Sequence, residues 1–469
     1  MIADLYYDLI TMKAKRDKNI DMLHGPLARK ILLFAIPLAL TSILQQLLNS
    51  ADASIAGRCV SNFSLAGIGG TVPITSTFVN LFVGLSIGAN VVVAMFIGSG
   101  NTERVKETVH TAMGLAIVTG LILMIAGLCL AEWILVAIGM PADAEADALV
   151  YMRCYFCTIP FLTLYNFGAA IIRAHGDTRT PLYALLAAVV VNFALNMLFV
   201  QVFGWGTAGI GVATIIACAL SAFILIVALQ HEQEPYRLTV RQIRISRSPL
   251  VGILRIGIPA GIQGAVFSLS NIIVQAAING FGSAAIAGCA ATLNFEIYTY
   301  FCISAFAQTA VTFTSQNFAA GNTERCKEIF RWCLLFGAGV GLCLGITFTA
   351  LGRSALSIFT TDAAALGYGM IRMWLIELPD CLTSFYEVPA GCLRGMGWST
   401  LPAIITIFGS CVMRIAFVVW VFPHLNDFVA LMALYPFTWI CMLTAMLIAY
   451  FVVRRRAFKT ITNPIAQTV

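Results

Sequence analysis

The sequence predicts an all-α membrane protein of twelve transmembrane helices, arranged as two tandem, pseudo-symmetric six-helix lobes. Three observations carry that expectation. Of 469 residues, 59% are hydrophobic and only 11% are charged, against roughly 25% charged in soluble domains. Apolar runs of span length recur along the whole chain. The chain also repeats itself at a fixed offset.

Crossing a hydrocarbon core of about 30 Å takes roughly 20 apolar residues as a helix. Backbone polar groups in lipid must be satisfied within the segment, so these runs are helices. The alternating pattern of a lipid-facing β-barrel is absent from the sequence. The spans fall at about 31–55, 64–97, 107–131, 147–173, 181–203, 207–230, 251–277, 283–317, 328–351, 366–393, 401–422 and 427–453. The second and eighth exceed a perpendicular span, which implies tilt or kinks.

Basic residues set the orientation. With the N-terminus inside, 23 Lys and Arg fall in inner segments, among them Lys13, Lys15, Arg16, Lys18, Arg104, Arg241 and Arg454. Only Arg58 and Arg353 fall outside. This bias predicts cytoplasmic N- and C-termini in the inner (cytoplasmic) membrane. The same distribution makes the net charge of +6 a topology signal and not a nucleic-acid signal. No cleavable leader is expected, because the first apolar run follows the charged stretch and continues as a full span.

The repeat has an offset of 221 to 222. Gly100-Asn101-Thr102-Glu103-Arg104 recurs as Gly321-Asn322-Thr323-Glu324-Arg325. Arg173, Gly176 and Pro181 recur as Arg394, Gly397 and Pro402, and Ile36-Pro37 recurs as Ile258-Pro259. Six spans per repeat make the two lobes parallel, as in many secondary transporters. The expected organisation is a leader (1–30), an N-lobe (31–230), a polar linker (231–249), a C-lobe (250–454) and a tail (455–469).

Several chemistries are disfavoured. None of the seven lysines follows a glycine, so the phosphate-cradling G-x-x-x-x-G-K-[ST] loop is missing. His24, His110, His175, His231 and His424 lie in loops or at span ends, away from any membrane-embedded catalytic set. No helix carries the Arg periodicity of a voltage sensor. The 14 cysteines, the Cys154/Cys157 pair included, read as packing residues. The chain is therefore expected to be no enzyme and to need no cofactor.

The order of "IPLALTSILQQLLNSADASIAGR" (from Ile36), "SIGANVVVAMFIGSGNTERVKETV" (from Ser86), "IIRAHGDTRTPL" (from Ile171) and "CLRGMGWSTLPAIITIFGSCVMRIAFVVW" (from Cys392) resembles the multidrug and toxic compound extrusion (MATE) family. The resemblance covers about residues 25–455. It implies two six-helix lobes around a central cleft, alternating access, and export of drugs or organic cations driven by entry of Na⁺ or H⁺.

The resemblance also implies a cation site in the N-lobe: Asp52 on the first helix, an N-x-x-x-D pair on the fifth, and a Thr on the sixth. Here the fifth helix holds Asn192 and Asn196, and the sixth holds Thr214. The i, i+4 spacing puts both Asn side chains on one helix face. At about 1.5 Å per residue, Asn192 and Asn196 lie roughly 17–23 Å from the inner end and Thr214 roughly 10 Å from the outer end. The four are expected to meet. Asn196 stands where the family has aspartate, so the site keeps one carboxylate. Hard-cation binding by oxygen ligands, with Na⁺ as the metal, should survive but weaken. A proton needs only one buried carboxylate, which favours H⁺ slightly. A solvated Asp52, or ordinary interhelical hydrogen bonding by Asn192, Asn196 and Thr214, is the structural alternative.

The C-lobe charges are Glu296, Glu377, Asp380, Glu387 and Arg414. The preferred reading is a buried salt bridge of Arg414 with Glu387 or Glu296; substrate binding or coupling is the alternative. Glu377 and Asp380 flank Pro379 nearer the outside, where simple solvation is one reading; Asp380 also stands with Glu296, Glu387 and Arg414 as a candidate substrate-binding or structural charge. Gly67, Gly69, Gly70 and Pro73 suggest close helix packing, and the recurring Arg-x-x-Gly suggests a basic anchor with a turn glycine. The expected function is secondary antiport of amphipathic, often cationic compounds by a monomer in the bilayer. A lipid-linked oligosaccharide flippase is the runner-up, and a membrane enzyme or receptor comes third.

Overall fold

The computed structural model describes residues 19–461. Lys13, Lys15, Arg16 and Lys18 of the leader, and the tail after 461, lie outside the described residues. The first nine helices are α1 (Leu27–Ile55), α2 (Asn62–Gly98), α3 (Thr102–Ala137), α4 (Ala142–Ala174), α5 (Arg179–Met197), α6 (Gly206–His231), α7 (Arg247–Asn279), α8 (Ser283–Ala319) and α9 (Thr323–Ala350). They are followed by α10 (363–395), α11 (Thr400–Leu425) and α12 (Phe428–Ile461). Eleven helices among the described residues are long and apolar enough to cross a membrane by length and composition.

The exception is α10. It runs as a helix from Ala363 to Arg372, a π turn at Met373–Glu377, a 3₁₀ stretch at Leu378–Thr383 and a helix from Ser384 to Gly395. Pro379 lacks an N–H and opens the 3₁₀ stretch, where that loss costs least. Helix α11 is likewise interrupted by π turns at Ile407–Val412 and Phe417–Val421. The long second and eighth spans appear as α2 and α8, each of 37 residues.

Helix ends follow local chemistry. Ser61 caps α2 by accepting from the Ser64 N–H, and Asn101 caps α3 by accepting from the Arg104 N–H at 3.1 Å. The repeated glycines take left-handed turns, with φ of +71° at Gly100 and +78° at Gly321. The tail continues α12 in helical form as far as Ile461.

Lipid is as apolar as leucine, so helices associate in it through close packing and hydrogen bonds. Helix α2 packs closely on α7 across the lobe boundary. A methyl group added at Gly84 would sit 2.1 Å from Gly261 N, and one at Gly88 would sit 2.3 Å from the Ile253 carbonyl oxygen. Gly67, singled out for close packing, faces the Ala148 backbone of α4 at 2.9 Å, whereas Gly69 faces open space.

The hydrogen bonds between lobes run from the middle of the bundle to the end that carries the basic loops. Asn80 donates to Ser268 Oγ (2.8 Å), and Thr312 donates to Asn90 Oδ1 (2.9 Å). Gln316 donates to the Ala174 carbonyl (2.6 Å). Phe34 of α1 meets Phe313 of α8 edge to face at 5.3 Å. The bundle is shut at this basic end.

Candidate functional site

Helix α1 is shared between the lobes. Its first turns, with Leu27, Ile31 and Phe34, join the core formed by α8, α9 and α12. Its last turns, with Asp52 and Ile55, pack on α5 and α6. Asp52 is fully buried there.

The four residues expected to meet do meet. Asn196 Nδ2 donates to Asp52 Oδ1 at 2.8 Å, and Thr214 Oγ1 donates to Asp52 Oδ2 at 2.7 Å. Asn196 Nδ2 also reaches Asn192 Oδ1 (3.1 Å), and Asn192 Nδ2 reaches Thr214 Oγ1 (3.2 Å). No basic group lies in ion-pair contact with Asp52 among the described residues. Asp52 is therefore not the solvated helix-end residue of the structural alternative.

One acceptor is left over. Asn196 Oδ1 is buried without a hydrogen-bond partner, a condition that costs free energy in low dielectric. A proton on Asp52 would turn its carboxyl into a donor able to reach an amide oxygen. A monovalent hard cation would instead draw on the oxygens of Asp52, Asn192, Asn196 and Thr214. The donor set fits either ion. The constellation has no copy in the C-lobe: one repeat on from Asp52 stand Ile273 and Val274.

The C-lobe corrects the expectation for Arg414. Glu296 is bound by Arg372, with Nε to Oε1 at 2.6 Å and Nη2 to Oε2 at 2.7 Å, both side chains largely buried. Arg414 pairs with neither Glu296 nor Glu387. Its guanidinium lies 4.2 Å from the Tyr435 ring centroid and 5.9 Å from that of Phe267, and its Nε donates to Thr438 Oγ1 at 3.4 Å. Aromatic faces stand in for a carboxylate. Glu387 lies against the Tyr300 hydroxyl, with Arg394 as its basic neighbour.

Glu377 and Asp380 are also corrected. They are 0% and 5% exposed, not solvated. Thr299 donates to Glu377 Oε1 at 2.7 Å, while Glu377 Oε2 and Asp380 Oδ2 are buried without partners. Glu377 ends the π turn of α10 and Asp380 lies in its 3₁₀ stretch. The Arg-x-x-Gly arginines are not surface anchors either. Arg173 donates across the lobe boundary to Gln308 Oε1 at 3.2 Å, and Arg394 donates to Gln263 Oε1 at 2.7 Å. The turn glycines hold, with φ of +109° at Gly176 and +90° at Gly397.

Arg372 is the participant the sequence left unassigned. Its signal was present: an Arg inside a span must find a partner.

Two six-helix lobes joined along a glycine seam, with a buried carboxylate network in one lobe, define a polytopic transporter. The chain belongs to the MatE family, whose model matches residues 37–198 and 259–420, one match in each lobe. It is 27% identical over 388 residues to the probable multidrug resistance protein YoeA of Bacillus subtilis, covering 81% of this chain and 84% of that protein. It is 25% identical over 388 residues to the probable multidrug resistance protein NorM of Thermotoga maritima, covering 81% and 82%. It is 24% identical over 371 residues to a FAD transporter of Shewanella oneidensis, covering 76% and 79%. Among solved structures, a MOP superfamily transporter from Pyrococcus furiosus aligns with a TM-score of 0.85 at 20% identity, covering 95% of this chain and all of that one. An outward-facing MATE multidrug transporter aligns at 0.84 and 21%, covering 96% and 99%. These likenesses bear on the fold.

Proposed function

We propose that this protein is a secondary antiporter that exports amphipathic, often cationic organic compounds in exchange for H⁺ or Na⁺ by alternating access. The supporting observation is the fully buried Asp52, held by Asn196 and Thr214 with a spare acceptor at Asn196 Oδ1. Such a group has differential affinity for an ion only if its surroundings change between states. Asp52 sits on α1, whose other end packs on the opposite lobe, so an ion bound there is tied to lobe movement.

The lobes 31–230 and 250–454 are the moving bodies in this reading, and the working unit is a monomer. The excess of basic residues in these loops supports a cytoplasmic position for the shut end and for both termini, in the inner membrane. H⁺ is favoured over Na⁺ because a single carboxylate suffices for it. Export of related multidrug compounds is supported by the names of the YoeA and NorM relatives. Arg414, with aromatic rings and no carboxylate as neighbours, favours a second reading in which the cargo carries an anionic group.

The test is cationic-dye transport in proteoliposomes under an imposed H⁺ or Na⁺ gradient, for wild type and Asp52→Asn. Transport under one gradient, lost in the variant, is expected. Wild-type transport indifferent to Asp52 would move the coupling role to Glu377 and Asp380.

A further inference from the structure

The segments that lead into the two lobes are held in a crossed arrangement. Residues 19–26 precede α1 of the N-lobe, yet they dock on the C-lobe. Asn317, at the end of α8, donates to the Met22 carbonyl at 3.1 Å. Arg325, at the start of α9, donates to the carbonyls of Gly25 (3.0 Å), Met22 (3.2 Å) and His24 (3.2 Å). The Met22 side chain is 1% exposed and belongs to the C-lobe core. The same segment is fastened to the N-lobe, where the Ile20 N–H donates to the Gly176 carbonyl at 3.1 Å. Asp21 Oδ1 accepts the Leu23 N–H, and Lys30 Nζ reaches the Asp21 and His24 carbonyls, so the turn is braced from within.

Residues 232–246 precede α7 of the C-lobe, and they dock on the N-lobe at the start of α3. The Thr239 N–H donates to His110 Nε2 at 3.1 Å, and the Ser246 N–H donates to Thr111 Oγ1 at 3.2 Å. Ile243 and Ile245 cover Gly114 of the same helix. The two docking points, at the starts of α9 and α3, are one repeat apart.

The duplicated Gly-Asn-Thr-Glu-Arg motif has diverged to match. Arg104, the first copy's arginine, pairs within its own helix with Glu107 at 2.9 Å. Among the described residues, Arg325, the second copy's, donates to backbone carbonyls of the opposite lobe's lead-in. A guanidinium spreading its donors over three carbonyls makes charge-assisted bonds in a fixed fork.

We propose that the two lead-in segments form a crossed clamp holding the basic end shut, and that the strap at 19–26 must leave Asn317 and Arg325 before that end can open. The lobes cannot part at this end while Ile20 is bonded to one and Met22 is seated in the other. The inference rests on the alternating-access reading for its importance, though not for its test.

The test measures the basic end without substrate or gradient. Spin labels are placed on cysteines introduced at exposed Arg179 and Glu328, one in each lobe, with exposed Cys59, Cys129 and Cys343 changed to Ser. Distances are read by double electron–electron resonance in nanodiscs. Arg325→Gln with Asn317→Ala should raise the long-distance population about tenfold, since several hydrogen bonds to the shut state are lost together. Arg325→Lys, a milder change that keeps the charge and loses the fork, should give a smaller rise. Arg104→Gln, the repeat mate, should leave the distribution unchanged. A wild-type distribution in both Arg325 variants, or an equal shift in Arg104→Gln, overturns the clamp. Failed dye transport beside the expected distances would count against the antiporter reading and leave the clamp standing.

Discussion

Asn196 gives its amide hydrogen to Asp52 Oδ1 at 2.8 Å and keeps its own Oδ1 buried with nothing to accept from. The pair comes from helices α5 and α1, 144 residues apart. In the proposed antiport cycle, a proton or a cation would engage this pair.

Asp52→Asn removes the titrating group and keeps the shape. Gradient-driven dye transport should fall to the level of protein-free liposomes, while the melting temperature stays near that of wild type. Retained gradient dependence would remove Asp52 from the coupling step.

Asn196→Asp adds the second carboxylate. More ligand charge favours a hard cation, so the Na⁺ concentration for half-maximal transport should drop by about tenfold. Initial rates across a Na⁺ series at fixed pH read this directly. No change in Na⁺ dependence would argue that the site serves protons in either form.

Arg372→Met leaves Glu296 buried without its bidentate partner. Breaking a buried pair from one side costs about 3–5 kcal/mol. The expected readout is a clear fall in melting temperature, mostly restored by Arg372→Met with Glu296→Leu. If the double variant melts as low as the single, the pair does more than balance charge.

His175 lies beyond the end of α4, stacked on Tyr236 at 3.9 Å between ring centroids. Burial pushes its pKa down from 6.5 to about 4, against an opposing pull from Asp177. A depressed histidine pKa means that the folded state binds fewer protons than the unfolded chain between those values. Its contribution to stability is complete above pH 6.5 and is lost as pH falls towards 4. His175→Phe keeps the stacked ring and removes the titration. Its melting temperature should therefore fall less than that of wild type from pH 6.5 to 4.5; parallel curves would contradict this assignment.

The span count, the long second and eighth helices and the N-lobe constellation were legible in the sequence. The spans follow from the length of the apolar runs, and the constellation from the family resemblance, with depth in the membrane as a check. Depth gives a residue's height but not its azimuth, which is why Arg414 was assigned to Glu387 or Glu296 and instead lies on Tyr435. Glu377 and Asp380 escape a reading based on their place beside Pro379 nearer the outside, because their burial is set by the helices packed around them. The docking of Met22, His24 and Gly25 uses backbone carbonyls, which every residue has, so no side-chain pattern announces it.

The seam between α2 and α7 has a stretch at its middle where glycines lie against backbone. Gly84, Gly88, Gly257 and Gly261 bring backbone against backbone. Leucines or methionines that interlock across a boundary lose rotamer freedom on meeting and regain it on parting. Glycines that face one another have none to lose. Closing and opening this stretch therefore changes side-chain entropy very little. The balance between the two positions then falls to polar groups beside this stretch, Asn80 against Ser268 of α7 and Asn90 against Thr312 of α8, and small changes in them are enough to shift it.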